Sequence, residues 1–139
     1  MAMYFELPVY NDCMKLLVTL DRFSCNMSRD YKFTTGQRMR GLLTNMIVLI
    51  YRANKTRDKK PVIAEIKEGL LEVQVLCRML SEIGQISGKQ YVVLAEQTAS
   101  IGKQLTAWEK KETQRNTGVD TGMEMSESVV VQQPAERTE

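Results

Sequence analysis

Val9, Cys13, Leu16, Leu20, Phe23 and Met27 recur at spacings of four and three. At 3.6 residues per turn this puts them on one face of a helix. Pro8 suits its first turn, where the N–H that proline lacks would be unpaired anyway. After a linker containing Ser28 to Phe33, a second helix is predicted from Thr34 or Thr35, with Met39, Leu43, Met46, Ile50 and Ala53 inward. Thr34 and Gln37 have capping-box spacing. A third helix runs from Pro61 to just before Gly84, a residue suited to the C′ position. Its inward face is Ile63, Ile66, Leu70, Val73, Cys77 and Leu80. In the fourth, Ser87 and Gln90 form another possible capping box, and Ile86 and Tyr91 occupy hydrophobic-staple positions around it. Tyr91, Leu94, Thr98, Ile101, Leu105 and Trp108 face inward, and this helix is expected to fade by about Thr113.

Four helices of roughly 20–25 residues would each be roughly 30–38 Å long. Short connections between helices of matched length favour antiparallel neighbours. The expectation is an all-α, antiparallel, up-down-up-down four-helix bundle. Two runs exceed what one core can absorb. Met46 to Ile50 is apolar without interruption and so goes all the way round its helix. Leu71, Val75 and Met79 form a second stripe on the third helix. Ile47, Val48, Leu49, Leu71, Val75 and Met79 are therefore the expected interface of a homo-oligomer.

Composition narrows the chemistry. The chain has no histidine, which removes Ser–His and Cys–His dyads, imidazole zinc sites and the Glu-x-x-His pairs of di-iron bundles. An enzyme using carboxylates stays open, but no constellation points to one, and no cofactor is expected. Cys13, Cys25 and Cys77 are odd in number and lack C-x-x-C spacing, which fits a reducing cytoplasm better than a disulfide framework. Met1 to Tyr10 does not have the pattern of a signal peptide. The longest apolar run, Met46 to Tyr51, is far short of the ~20 residues that span a bilayer. Residues 1–112 hold seventeen bases and twelve acids and are expected to form the bundle domain. Residues 113–139, with five acids and two arginines, read as a disordered polar tail.

The charge is unevenly spread. The formal net charge is only +2, yet Arg29 to Lys60 carries nine Lys or Arg against Asp30 and Asp58. Such clustering makes a local field that attracts polyanions. Arg38, Arg52 and Lys55 fall within one arc of the second helix, opposite its apolar stripe, and Arg57, Lys59 and Lys60 carry the charge into the following loop. The strip suits a phosphate backbone or an acidic protein surface; it also fits an ordinary solvated face. Glu65, Glu68 and Glu72 lie off the core stripe of the third helix and read as a solvated acidic face rather than metal ligands. Met39, Met46 and Met79 read as adaptable packing.

Four motifs then occur in order: Tyr31-Lys-Phe-Thr-Thr-Gly-Gln-Arg, Leu49-Ile-Tyr-Arg-Ala-Asn, Gln90-Tyr, and Ser100-Ile-Gly-Lys-Gln-Leu-x-x-Trp108. In this the chain resembles the Avd family, the accessory variability determinants of diversity-generating retroelements. It also resembles the related four-helix proteins encoded in intervening sequences of 23S ribosomal RNA genes. The similarity runs from about Leu7 to Lys111. The Avd resemblance implies a homopentameric barrel without catalysis of its own, associated with a reverse transcriptase and its RNA during mutagenic cDNA synthesis. DNA or an RNA/DNA hybrid are alternative ligands. It makes Lys32, Arg38 and Arg52 candidate contacts and gives Tyr51, Gly102 and Trp108 packing roles. The nucleic-acid surface expected overall is Lys32, Arg38, Arg40, Arg52, Lys55, Arg57, Lys59 and Lys60. The other branch implies a structural or protein-interaction module for which RNA is irrelevant.

Overall fold

A computed structural model describes residues 7–120, with side chains through Arg115. In order, the helices are α1 (Pro8–Ser24), the single turn α2 (Arg29–Lys32), α3 (Thr35–Lys55), α4 (Lys60–Glu82) and α5 (Gly88–Asp120). The described residues are all-helical, with no strand. The four long helices form a bundle in which α1 packs on α3, α3 on α4, α4 on α5, and α5 back on α1.

The inward stripes are the predicted ones. Cys13, Leu16, Met39, Leu43, Ile50, Ala53, Ile63, Ile66, Val73, Leu80, Leu94, Ile101 and Leu105 are fully enclosed. Tyr91 and Trp108 are partly buried against this core. Fully burying one such aliphatic side chain stabilises the fold by roughly 1.5–3 kcal/mol. Burial also raises the Cys13 thiol to about 12, with Asp12 adding to the effect, and raises Cys77 to about 12. Both are therefore protonated, apolar packing groups at neutral pH.

The helix ends follow local chemistry. Ser87 and Gln90 close the expected capping box: the Ser87 N–H donates to Gln90 Oε1 at 2.9 Å and the Gln90 N–H to Ser87 Oγ at 3.1 Å. Gly84, at φ +76°, ends α4. Its N–H donates to the Ser81 carbonyl at 3.2 Å, and the Gln85 N–H to the Leu80 carbonyl at 2.8 Å. This is the double closure of a Schellman motif, whose left-handed residue favours glycine. The close interhelical approach is at Gly69, where a Cβ would lie 3.1 Å from Met46 Cγ. At Gly102 the same atom would sit 3.5 Å from Leu70, an ordinary contact, so packing inside this subunit does not require a glycine there.

Three expectations need correction. The linker after α1 contains α2, and the Thr34 hydroxyl donates back to the Asp30 carbonyl instead of capping α3. Leu49 is buried in the subunit's own core, which leaves it no surface to offer a second copy. The last helix does not fade by Thr113 but continues to Asp120. Glu112, itself buried, accepts from Arg115 at 2.7 Å, and Arg115 also donates to the Arg57 carbonyl at 3.1 Å. Those bonds fasten a turn that composition alone suggested was loose. The rest of the expected tail, with Val129 to Val131, lies outside the described residues.

Candidate nucleic-acid interface

The cations of α3 fall into two groups with different surroundings. Arg38 and Arg40, two residues apart, point some 200° from each other around the helix. Each meets an acid on a neighbouring helix. Arg38 Nε donates to Glu72 Oε2 on α4 at 2.7 Å. Arg40 Nη1 approaches Asp21 Oδ1 of α1 at 3.3 Å and Ser24 Oγ at 3.4 Å. Lys32 ends α2, partly exposed at this same end of α3.

Fourteen residues on from Arg38, roughly 21 Å at 1.5 Å per residue, the picture changes. Arg52 and Lys55 occupy the last turn of α3, where cations complement the helix dipole. Lys55 Nζ sits 4.5 Å from the centroid of the Tyr51 ring, within cation–π range. Lys59 turns inward, and its ammonium donates to the Ala53 carbonyl at 3.0 Å and the Thr56 carbonyl at 2.6 Å. It thereby adds a second donor to the Ala53 carbonyl, which already accepts the Thr56 N–H at 3.2 Å, and reinforces the end of the helix. Arg57 is exposed and Lys60, the first residue of α4, is half-buried. Among the described residues, the side chains of Arg52, Arg57 and Lys60 form no ion pair.

Two further cations join this end. The Arg115–Arg57 hydrogen bond fixes the late turns of α5 beside the α3–α4 loop. Lys111, one turn before Arg115, is exposed on that side of α5. Sequence reasoning assigned Arg115 to a loose tail. The available signal was the Glu112–Arg115 spacing of three, a helical ion-pair spacing. The acids nearby are Asp58 and the buried Glu112, the latter occupied by Arg115.

Other predicted site residues divide similarly. Of the expected interface, Val48, Leu71 and Val75 are 48%, 60% and 58% exposed, whereas Ile47 and Met79 are half-buried. Met14 and Val18 of α1, which the sequence reading passed over, are also exposed. Glu72 of the acidic face pairs with Arg38 of its own subunit, and the described residues contain no cluster able to hold a metal ion.

A family model described as bAvd-like matches residues 14–112, which take in most of α1, all of α2, α3 and α4, and most of α5. The chain belongs to the bAvd-like family. Comparison with curated proteins finds no match. The family is one of Avd-type accessory proteins. Arg52 of the resembling Tyr51–Asn54 segment lies in the basic group at the α3–α4 loop. The Ser100–Trp108 segment forms the middle of α5, with Ile101 and Leu105 buried. No helix among the described residues is long and apolar enough to cross a membrane.

Proposed function

We propose that this bAvd-like protein is a non-enzymatic accessory factor of a retroelement, binding RNA and a reverse transcriptase and assembling into a ring of identical subunits in the cytoplasm. The observation that carries the nucleic-acid part is the uncompensated group Arg52, Arg57 and Lys60, joined by Lys111 and Arg115, at the α3–α4 loop. Phosphate oxygens are the natural partners of such exposed cations, and binding through them depends on salt more than on sequence. DNA and an RNA/DNA hybrid carry the same phosphates.

Cross-helix contacts support an antiparallel, up-down-up-down arrangement. Asp12 meets Gln104 at 2.6 Å and Thr19 meets Gln97 at 3.2 Å, so α5 descends as α1 rises. Around such a bundle two sets of exposed apolar residues fall on opposite flanks. Leu71 and Val75 lie on α4, where Leu71 lines a groove with Gly102 and Ala107 of α5. Met14 precedes Asp21 by two turns and so lies on the side of α1 nearest α3, with Val18 beside it. Ile47 and Val48, two turns on from Arg40, face the same flank from α3. Two unlike apolar flanks suit a heterologous contact that repeats around a ring. Five as the subunit number follows from the Avd resemblance. The ring repeats each basic loop, which strengthens the field at a phosphate backbone.

The test is fluorescence anisotropy with a labelled single-stranded RNA of about 20 nucleotides. The wild-type protein is expected to bind with an affinity that falls steeply as salt rises. Arg52→Glu/Arg57→Glu/Lys60→Glu should weaken binding by about 100-fold at low salt, with helicity and light-scattering mass unchanged. Equal binding by both proteins would show that the loop is not the site.

A further inference from the structure

We infer that the groove between the start of α1 and Trp108 receives an unstacked base of single-stranded RNA, whose phosphates lie on Lys111 and the cations of the α3–α4 loop. The inference rests on the proposed use of that loop for RNA and names the form of RNA it takes. Three observations carry it. First, Leu7 and Pro8 at the start of α1 and Ala107 and Trp108 of α5 line a groove of about 660 Å³, together with the exposed Lys110 and Lys111. Sites that take small organic groups hold roughly 300–1,000 Å³, so a nucleobase has room. Second, the charge left over at the groove is positive. Lys110 and Lys111 form no ion pair among the described residues, and the one acid lining the groove, Glu112, is buried and holds Arg115 at 2.7 Å. Third, the groove runs into the loop's cations. Lys111 and Arg115 follow Trp108 at three and seven residues, on the same side of α5 and roughly 4.5 and 10.5 Å along its axis. Arg115 in turn donates to the Arg57 carbonyl at 3.1 Å.

The two chemistries side by side select the single strand. Cations alone take phosphate from any nucleic acid. An indole beside them adds a surface on which a base stacks, and because every base has a π-face the contact tolerates any sequence. Duplex bases are already stacked on one another, and sequence-tolerant aromatic stacking needs bases that are splayed out. Trp108 also packs partly against the bundle core, which holds the indole in place before a base arrives. The groove therefore adds a preference for unpaired strands to a loop whose cations have none.

Trp108 is the only tryptophan in the chain, so its emission reports on this groove alone. Binding of a 20-nucleotide single-stranded RNA should quench that emission by about a third or more, as stacking on the indole requires. A strand of twenty abasic units and a 20-base-pair RNA duplex should bind through phosphate, as anisotropy reads, and leave the emission within about a tenth of its starting value. Trp108→Leu, which keeps an apolar side chain against the core, should weaken binding of the single-stranded RNA about tenfold, the size of one lost base stack. Binding of the abasic strand should change by less than about 1.5-fold, whereas a merely structural role would move both. If the variant fails to fold, the wild-type emission decides. Unchanged emission on bound single-stranded RNA, or equal quenching by the bound abasic strand, overturns the inference and leaves the phosphate reading of the loop standing. If none of the three polymers binds, the RNA reading of the loop falls and the inference falls with it.

Discussion

At the N-terminal end of α3, Arg38 and Arg40 each meet an acid on a neighbouring helix; at its C-terminal end, Arg52 and Arg57 meet none among the described residues. In the linear sequence these residues belong to one basic run. In space their environments differ because Glu72 projects from α4 beside Arg38 and Asp21 from α1 beside Arg40, while the other end of α3 opens into a loop. Formal charge is therefore a poor guide to an available cation. What matters for an incoming phosphate is the charge left after the bundle's own acids are counted, and among the arginines of α3 that remainder lies at the end that enters the α3–α4 loop.

Neutralising two cations at each end separates the groups most sharply. Arg52→Gln/Arg57→Gln should lower RNA affinity about tenfold at low salt and make the salt dependence of log K shallower by roughly 1.4, since each single-strand phosphate contact contributes about 0.7. Arg38→Gln/Arg40→Gln should change affinity by less than about twofold, because those guanidinium groups already have partners. Anisotropy titrations at several salt concentrations read both. Equal losses from the two pairs would mean that the ion pairs open on binding and that the two ends of α3 act as one strip.

Much of the scaffold for this comparison was legible in the sequence. Spacings of three and four located the buried faces of all four long helices, and the Ser87–Gln90 box and Gly84 marked ends whose chemistry is local. The Thr34 hydroxyl could not be assigned in the same way, since it chooses between capping α3 and bonding to Asp30, and α2 decides the matter. Leu49 looked available because Met46 to Ile50 encircles α3, yet only Val48 of that run is fully on the surface. The separation of Arg38 from Arg40 was readable as a 200° turn, but their partners on other helices were not. The same holds for Arg115, whose fixed place depends on the backbone of Arg57, fifty-eight residues earlier.

Lys59 tests whether every cation at the loop end belongs to the binding surface. Its ammonium already holds the Ala53 and Thr56 carbonyls where α3 ends, so Lys59→Met should destabilise the fold by about 1 kcal/mol, the net value of a few partly exposed hydrogen bonds. Chemical denaturation should show this as a lower midpoint at unchanged slope. RNA affinity at temperatures well below the transition should move by less than about twofold. A large loss of affinity without loss of stability would transfer Lys59 to the phosphate-binding group.

The smallest effect is expected where the comparison began, at Arg38. Its pair with Glu72 is short, but the two side chains are 61% and 39% exposed. Water and salt therefore weaken an attraction that would be large in a dry interior. A double-mutant cycle with Arg38→Ala and Glu72→Ala should give a coupling of about 0.2–1 kcal/mol at low ionic strength, diminishing as salt is added. That value is enough to keep the guanidinium occupied most of the time and too small to fix the fold. A coupling near zero would leave Arg38 as available to phosphate as Arg52, and the distinction between the two ends of α3 would then rest on Arg40 alone.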